Sequence, residues 1–192
     1  HSMKQVLILN GSPNGSRGNC AKLITKIEKL LKSIVKVRVV HLAKLKTNKS
    51  LINELKKSDG VLFVTGTYWD SWGSPMQAMF EDLTELEGTH VFLGKPCAVF
   101  VLMHSVGGKG ILSRMQGVLS TLGFLIPPMT GMVLSLVSQL AKSGKNSKHK
   151  KDFWDLEDLN AILGNFILGL DIKIPWQSWP VDRDNFRSIW LK

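Results

Sequence analysis

The stretch 5–20, QVLILNGSPNGSRGNC, limits what this chain can fold into more than any other. Val6, Leu7, Ile8 and Leu9 form an unbroken apolar run, as expected of a parallel strand covered on both faces. The run stops at Asn10 and gives way to glycine, serine, proline and asparagine. A helical pattern starts at once from Asn19. A buried strand, a small-residue turn and a helix N-terminus together make an anion site, because the turn's N–H groups and the positive end of the helix dipole face one point. The expected ligand is a phosphate.

The same alternation continues along the chain. Ala21, Leu23, Ile24, Ile27, Leu30, Leu31 and Ile34 keep the spacing of an amphipathic helix. Residues 35–42 alternate β-branched and polar side chains, which predicts an edge strand, and a short helix is expected near 49–57. Val61–Val64 and Cys97–Met103 predict two more buried strands. Helices are expected over 76–86 and 111–122, with Gly123 as a stop, and a strand region over 124–136. This pattern predicts an α/β fold, an open sheet of about five parallel strands in three layers. Helical spacing returns over 154–170, so the domain is expected to span residues 3–170. The tail, 171–192, holds Trp176, Trp179 and Trp190 and is expected to pack on the domain or on a neighbouring subunit.

Three loops stand out: 11–19, 66–75 (GTYWDSWGSP) and 104–110 (HSVGGKG). Each follows the C-terminal end of a predicted strand, where ligands of open α/β sheets bind, so the three should meet on one edge.

Composition narrows the ligand and the partners. The net charge is +10, with eleven Lys or Arg in 22–57 against Glu28 and Glu54. That segment has no Phe, Tyr or Trp on which bases could stack, which argues against nucleic acid and for a basic surface attracting phosphorylated cofactors. The basic run 142–151 is expected to be a loop. Cys20 and Cys97 form no disulfide framework or metal cluster, so no metal is expected, and the cytoplasm suits them. Met115–Ala141 is free of charge but broken by Pro127, Pro128 and three glycines, so no membrane span is expected.

Neither GxxxxGK[ST] nor GxGxxG follows the first strand, which leaves a Ser/Asn-rich loop suited to a terminal monophosphate. At this point the sequence resembles the NAD(P)H-dependent FMN reductase and quinone reductase family of flavodoxin-like flavoproteins. Residues 10–20 resemble its phosphate loop, Thr65-Gly66-Thr67-Tyr68 through Pro75 its loop along the isoalloxazine, and 104–108 its Gly-rich loop near the flavin's pyrimidine end. The likeness spans roughly residues 4–136, and departs from the family at Cys20 (a hydroxyl residue), Gly66 (a proline) and Gln77 (often Lys).

The resemblance implies a flavodoxin-like three-layer α/β/α sandwich with a five-stranded parallel sheet, binding FMN and using NADPH (or NADH). A quinone, free flavin or azo compound would be the small-molecule electron acceptor, and a homodimer or homotetramer the assembly. It makes Ser12, Ser16, Gly18 and Asn19 phosphate contacts, with Arg17 either pairing the phosphate or facing solvent and Cys20 a small stand-in for the hydroxyl residue. Tyr68, Trp69 and Trp72 would cover the flavin edge or shape substrate entry, with Thr67 and Ser71 beside them. Asp70 would bond the flavin or cap the following helix. His104, Ser105, Gly107 and Gly108 would lie by the pyrimidine end. No side chain is assigned a catalytic role, since the cofactor carries the chemistry. The alternative is a flavodoxin-type electron carrier, a role that the positive charge disfavours unless the partner is itself acidic, or a flavin-binding module whose basic surface docks an acidic partner.

Overall fold

The computed structural model describes residues 2–144, 153–185 and 187–191. Five parallel strands, β1 (Gln5–Asn10), β2 (Lys36–His41), β3 (Gly60–Thr65), β4 (Cys97–Met103) and β5 (Gly131–Ser135), form one sheet in the order β2-β1-β3-β4-β5. This is the flavodoxin-like order. The helices between them are α1 (Asn19–Leu31), α2 (Asn48–Lys57), α3 (Ser74–Asp82), α4 (Gly108–Leu122), α5 (Leu136–Ser143) and α6 (Leu159–Gly169).

Side chains alternate across each strand, so the central strands feed two cores. Leu7, Leu9, Val61, Phe63 and Val99 pack against α2, α3 and α4. Val6, Ile8, Leu62, Val64 and Phe100 pack against α1 and α6 on the opposite face. The result is the expected three-layer sandwich. The alternating strand β2 is at the edge, half-buried. Gly123 ends α4 in the left-handed region at φ 110°, where its N–H reaches the carbonyls of Leu119 and Ser120.

Two expectations need correction. The last strand is confined to Gly131–Ser135, because Pro127 and Pro128 have no N–H to give a ladder and 124–130 runs irregularly. A helix, α5, follows it directly, capped by the Ser135 side chain accepting from Ser138 N–H. Most of the expected loop at 142–151 lies outside the described residues; Lys142, at the end of α5, pairs with Asp155 at 2.5 Å. No helix among the described residues is long and apolar enough to cross a membrane. The tail runs back along 85–94 of its own chain: Trp179 Nε1 donates to Glu87 Oε1 at 2.7 Å, and the Trp176 indole lies over Gly94.

Candidate active site

The first loop is wired by Asn10, which is fully buried at the end of β1. Its Oδ1 accepts from Ser12 N–H at 3.0 Å and its Nδ2 donates to the Gly15 carbonyl at 2.8 Å. Ser12 Oγ in turn accepts from Asn14 N–H at 3.2 Å. Gly18 stands at the N-cap of α1 with φ 96° and offers the first-turn N–H groups no side chain, and no acidic residue lies in that turn. The positive end of α1 is therefore left for an external anion. Lys44 brings a cation to the loop, its Nζ donating to Ser16 Oγ at 2.7 Å.

The second loop begins with Thr65, whose Oγ1 accepts from Gly73 N–H at 3.0 Å, and Thr67, whose Oγ1 donates to the Leu102 carbonyl at 2.9 Å. Just after Thr67, Tyr68 and Ser71 exchange both backbone hydrogen bonds, at 2.9 and 3.1 Å, around a two-residue turn. Trp69 (φ 50°) and Asp70 (φ 57°) hold the two left-handed positions, which Asn-Gly usually takes. Packing holds them there. Arg114 donates to the Asp70 carbonyl and lies over the Trp72 ring, 5.3 Å from its centroid.

Asp70 does not cap the following helix, α3, whose N-cap is Gly73. Its carboxylate lies instead against Gly107, where a Cβ would come within 2.5 Å of Oδ1, beside the positive end of α4. Trp72 Nε1 donates to Gln77 Oε1 at 2.9 Å, and its ring packs edge-on against Phe80.

In the third loop the His104 carbonyl accepts from Val137 N–H and Ser135 Oγ, leaving the imidazole exposed. Gly108 must be glycine because a Cβ would meet Val133 Cγ1 at 2.4 Å.

These loops enclose a cleft of about 690 Å³ at the C-terminal edge of the sheet. Of the residues singled out in the sequence, Ser12, Asn19, Cys20, Thr67, Tyr68, Trp69, Asp70, His104 and Ser105 line it. Ser16, Arg17, Gly18, Ser71, Trp72, Gly107 and Gly108 belong to the same loops but not to its lining. Sequence reasoning missed the far wall, Leu134, Leu136, Gln139 and Leu156, which comes from β5, α5 and the turn before α6. It also missed Asn10, which ties the local turn to His41 31 residues on, and Lys44, which reaches Ser16 across 28 residues.

The chemistry of the lining suits a phosphorylated flat ligand. Among the described residues Asp70 is its only carboxylate, and that group lies close to Gly107 at the N-terminus of α4. Burial pushes the Cys20 thiol up to about 11, against a hydrogen bond with Ser12, so it is neutral and uncharged towards an anion. Burial likewise raises the Tyr68 phenol, whose hydroxyl lies 2.9 Å from Ser12 Oγ and joins the first two loops. The size is that of a cofactor pocket. Among the described residues no three His, Cys, Asp or Glu side chains are grouped to hold a metal.

The model of one protein family, NADPH-dependent FMN reductase, matches residues 4–139. The chain belongs to this family. It is accordingly an FMN-dependent NAD(P)H oxidoreductase. The sequence matches none of the curated proteins. Among solved structures it is similar to RosB with its bound 8-demethyl-8-formylriboflavin-5'-phosphate intermediate, at TM-score 0.70 and 14% identity over 87% of this chain and 79% of that one. It is also similar to the NADH:FMN oxidoreductase EMOB (0.67, 17%, 88% and 91%) and to FerB, an NAD(P)H:(acceptor) oxidoreductase from Paracoccus denitrificans (0.66, 19%, 87% and 97%). At such identities the likeness establishes the fold.

Proposed function

We propose that FMN occupies the 690 Å³ cleft, its phosphate on the 11–20 loop, and that NAD(P)H and then a flat acceptor such as a quinone, free flavin or azo compound use its mouth in turn. The observation that carries this reading is the convergence of all three unusual loops on one cleft, at a helix N-terminus kept free of acidic side chains. Bound there, FMN would supply two-electron chemistry between NAD(P)H and the acceptor, while the chain's own residues bind and orient it. Ser12, Asn14 and Asn19 present polar groups at the phosphate end, and the uncapped first turn of α1 adds its dipole. Leu134, Leu136 and Leu156 form an apolar wall that keeps water from one side of the ring site. Trp69, fully exposed at the hairpin tip, offers a flat apolar surface where acceptors enter. The exposed tail tryptophans and the family resemblance support a homodimer or homotetramer, which sedimentation would read.

The reading is tested on the purified protein under anaerobic conditions. FMN should bind stoichiometrically, NADPH should bleach its colour, and a quinone should restore it over many turnovers. Failure to bind FMN overturns the site; bleaching without turnover on a quinone points to an electron carrier instead.

Cys20 gives a sharper check. A serine hydroxyl is a stronger donor than the neutral thiol, and Cys20 lines the cleft beside Ser12. Cys20→Ser should tighten FMN roughly 3- to 10-fold, the worth of one hydrogen bond, and leave riboflavin binding unchanged.

A further inference from the structure

Every polar atom of the Asn10 side chain has a partner, and those partners decide a proton position elsewhere. Its Oδ1 meets Ser12 N–H, which can only donate, and its Nδ2 meets the Gly15 carbonyl, which can only accept. The amide therefore has one orientation. The same Nδ2 lies 3.0 Å from Nδ1 of His41, its register partner across the β1–β2 ladder. A donor facing Nδ1 requires that nitrogen to be unprotonated, so His41 is neutral, with its proton on Nε2. A proton on Nδ1 would set two donors face to face. Asn10 can relieve this by turning its amide over, which breaks both backbone bonds that hold Ser12 and Gly15.

We propose that His41 is a positioning residue for the anion-binding loop: neutral, it holds residues 12–15 through Asn10 in the shape that receives a phosphate, and protonated, it releases them. This rests on the reading that the loop receives the phosphate of FMN. Burial lowers the imidazole pKa, repulsion from Lys44 in the turn after β2 adds to this, and Glu28 of α1 opposes both. A folded value below the ordinary one means the fold favours the neutral ring. The closed loop is complete above about pH 6.5, the unfolded value, and is lost as pH falls through the lowered folded value. Lys44 also touches the loop itself, at Ser16 Oγ, so its charge reaches both the ring and the site.

The test follows flavin-free protein by nitrogen NMR from about pH 8 to about pH 5, and measures FMN and riboflavin affinity in wild type and His41→Gln over the same range. Glutamine keeps an acceptor for Asn10 Nδ2 and cannot become charged. At high pH the ring should show the Nε2–H tautomer, and the Ser12 and Gly15 amide signals should follow its titration. On acidification FMN should weaken roughly 3- to 10-fold more in wild type than in His41→Gln, about one hydrogen bond's worth. The comparison is needed because a phosphate monoester has its own ionisation near about 6. Riboflavin, which has no phosphate, should respond equally in both. Amide signals indifferent to the ring, or superimposable FMN curves, would overturn the proposal. If neither flavin binds at any pH, the cofactor reading falls, while the amide titration still judges the coupling of His41 to the loop.

Discussion

Replacing Gly73 with alanine is expected to cost at least about tenfold in FMN affinity, with a loss of stability of about 1–3 kcal/mol. The reason is a backbone contact. A Cβ on Gly73 would stand 2.1 Å from the Gly11 carbonyl oxygen and 3.1 Å from both the Gly11 carbonyl carbon and Pro13 Cδ. No side-chain rotation relieves this, because what lies in the way is the root of the 11–16 loop. Gly73 cannot retreat cheaply either. Its N–H is held by Thr65 Oγ1, and its carbonyl accepts from Met76 and Gln77 at the start of α3. The second loop must therefore part from the first, which pulls Tyr68 away from Ser12 and opens the cleft where the two loops meet. Gly11→Ala is the instructive comparison. Its Cβ would meet Met76 Cβ and Cε at 2.7 Å; Cε can swing away, while Cβ is fixed to α3, so a shift of that helix is still needed, smaller than the 2.1 Å backbone clash at Gly73 demands. Titration of FMN fluorescence and thermal melting of both variants check this, and equal losses would contradict the distinction.

Backbone contacts of this kind explain what could be seen in the sequence and what could not. Val6–Leu9, Val61–Val64 and Cys97–Val101 are apolar without interruption because both faces of their strands are covered, so β1, β3 and β4 are visible as sequence patterns. Alternation in Lys36–His41 marks an edge for the complementary reason. Helix α5 left no such trace, since it buries no side chain and continues the uncharged stretch of β5. At the site, the loops and their placement on one edge follow from local pattern and from the rule for parallel sheets. The wiring does not. Asn10 meets His41 across 31 residues and Lys44 meets Ser16 across 28, so neither contact leaves a local signal. The aromatic loop shows three large rings, but only the tertiary fold sends Trp69 outward, Tyr68 to Ser12 and Trp72 against Phe80. A left-handed Trp-Asp pair contradicts the usual turn residues, and it is stable here because Arg114 and the space beside Gly107 hold it.

Phe63→Ala should separate the core from the site. Phe63 is buried in the middle of β3, the central strand, with its ring edge-on to Phe124 at 5.4 Å and tilted against Phe80 of α3 at 6.4 Å. Truncating a buried phenylalanine costs about 3–5 kcal/mol, the transfer of the ring plus the cavity left behind. Against a total of about 5–15 kcal/mol this is a large share, and melting should drop by roughly 6–20 °C. The cleft should be spared, because Phe63 is not among the residues that line it and the Thr65, Thr67 and Asn10 hydrogen bonds that shape its loops should stay in place. FMN affinity measured well below the melting point should therefore stay within about twofold of wild type. Should affinity fall as far as in Gly73→Ala, the α3 face of the core would have to be counted among the structures that set the site.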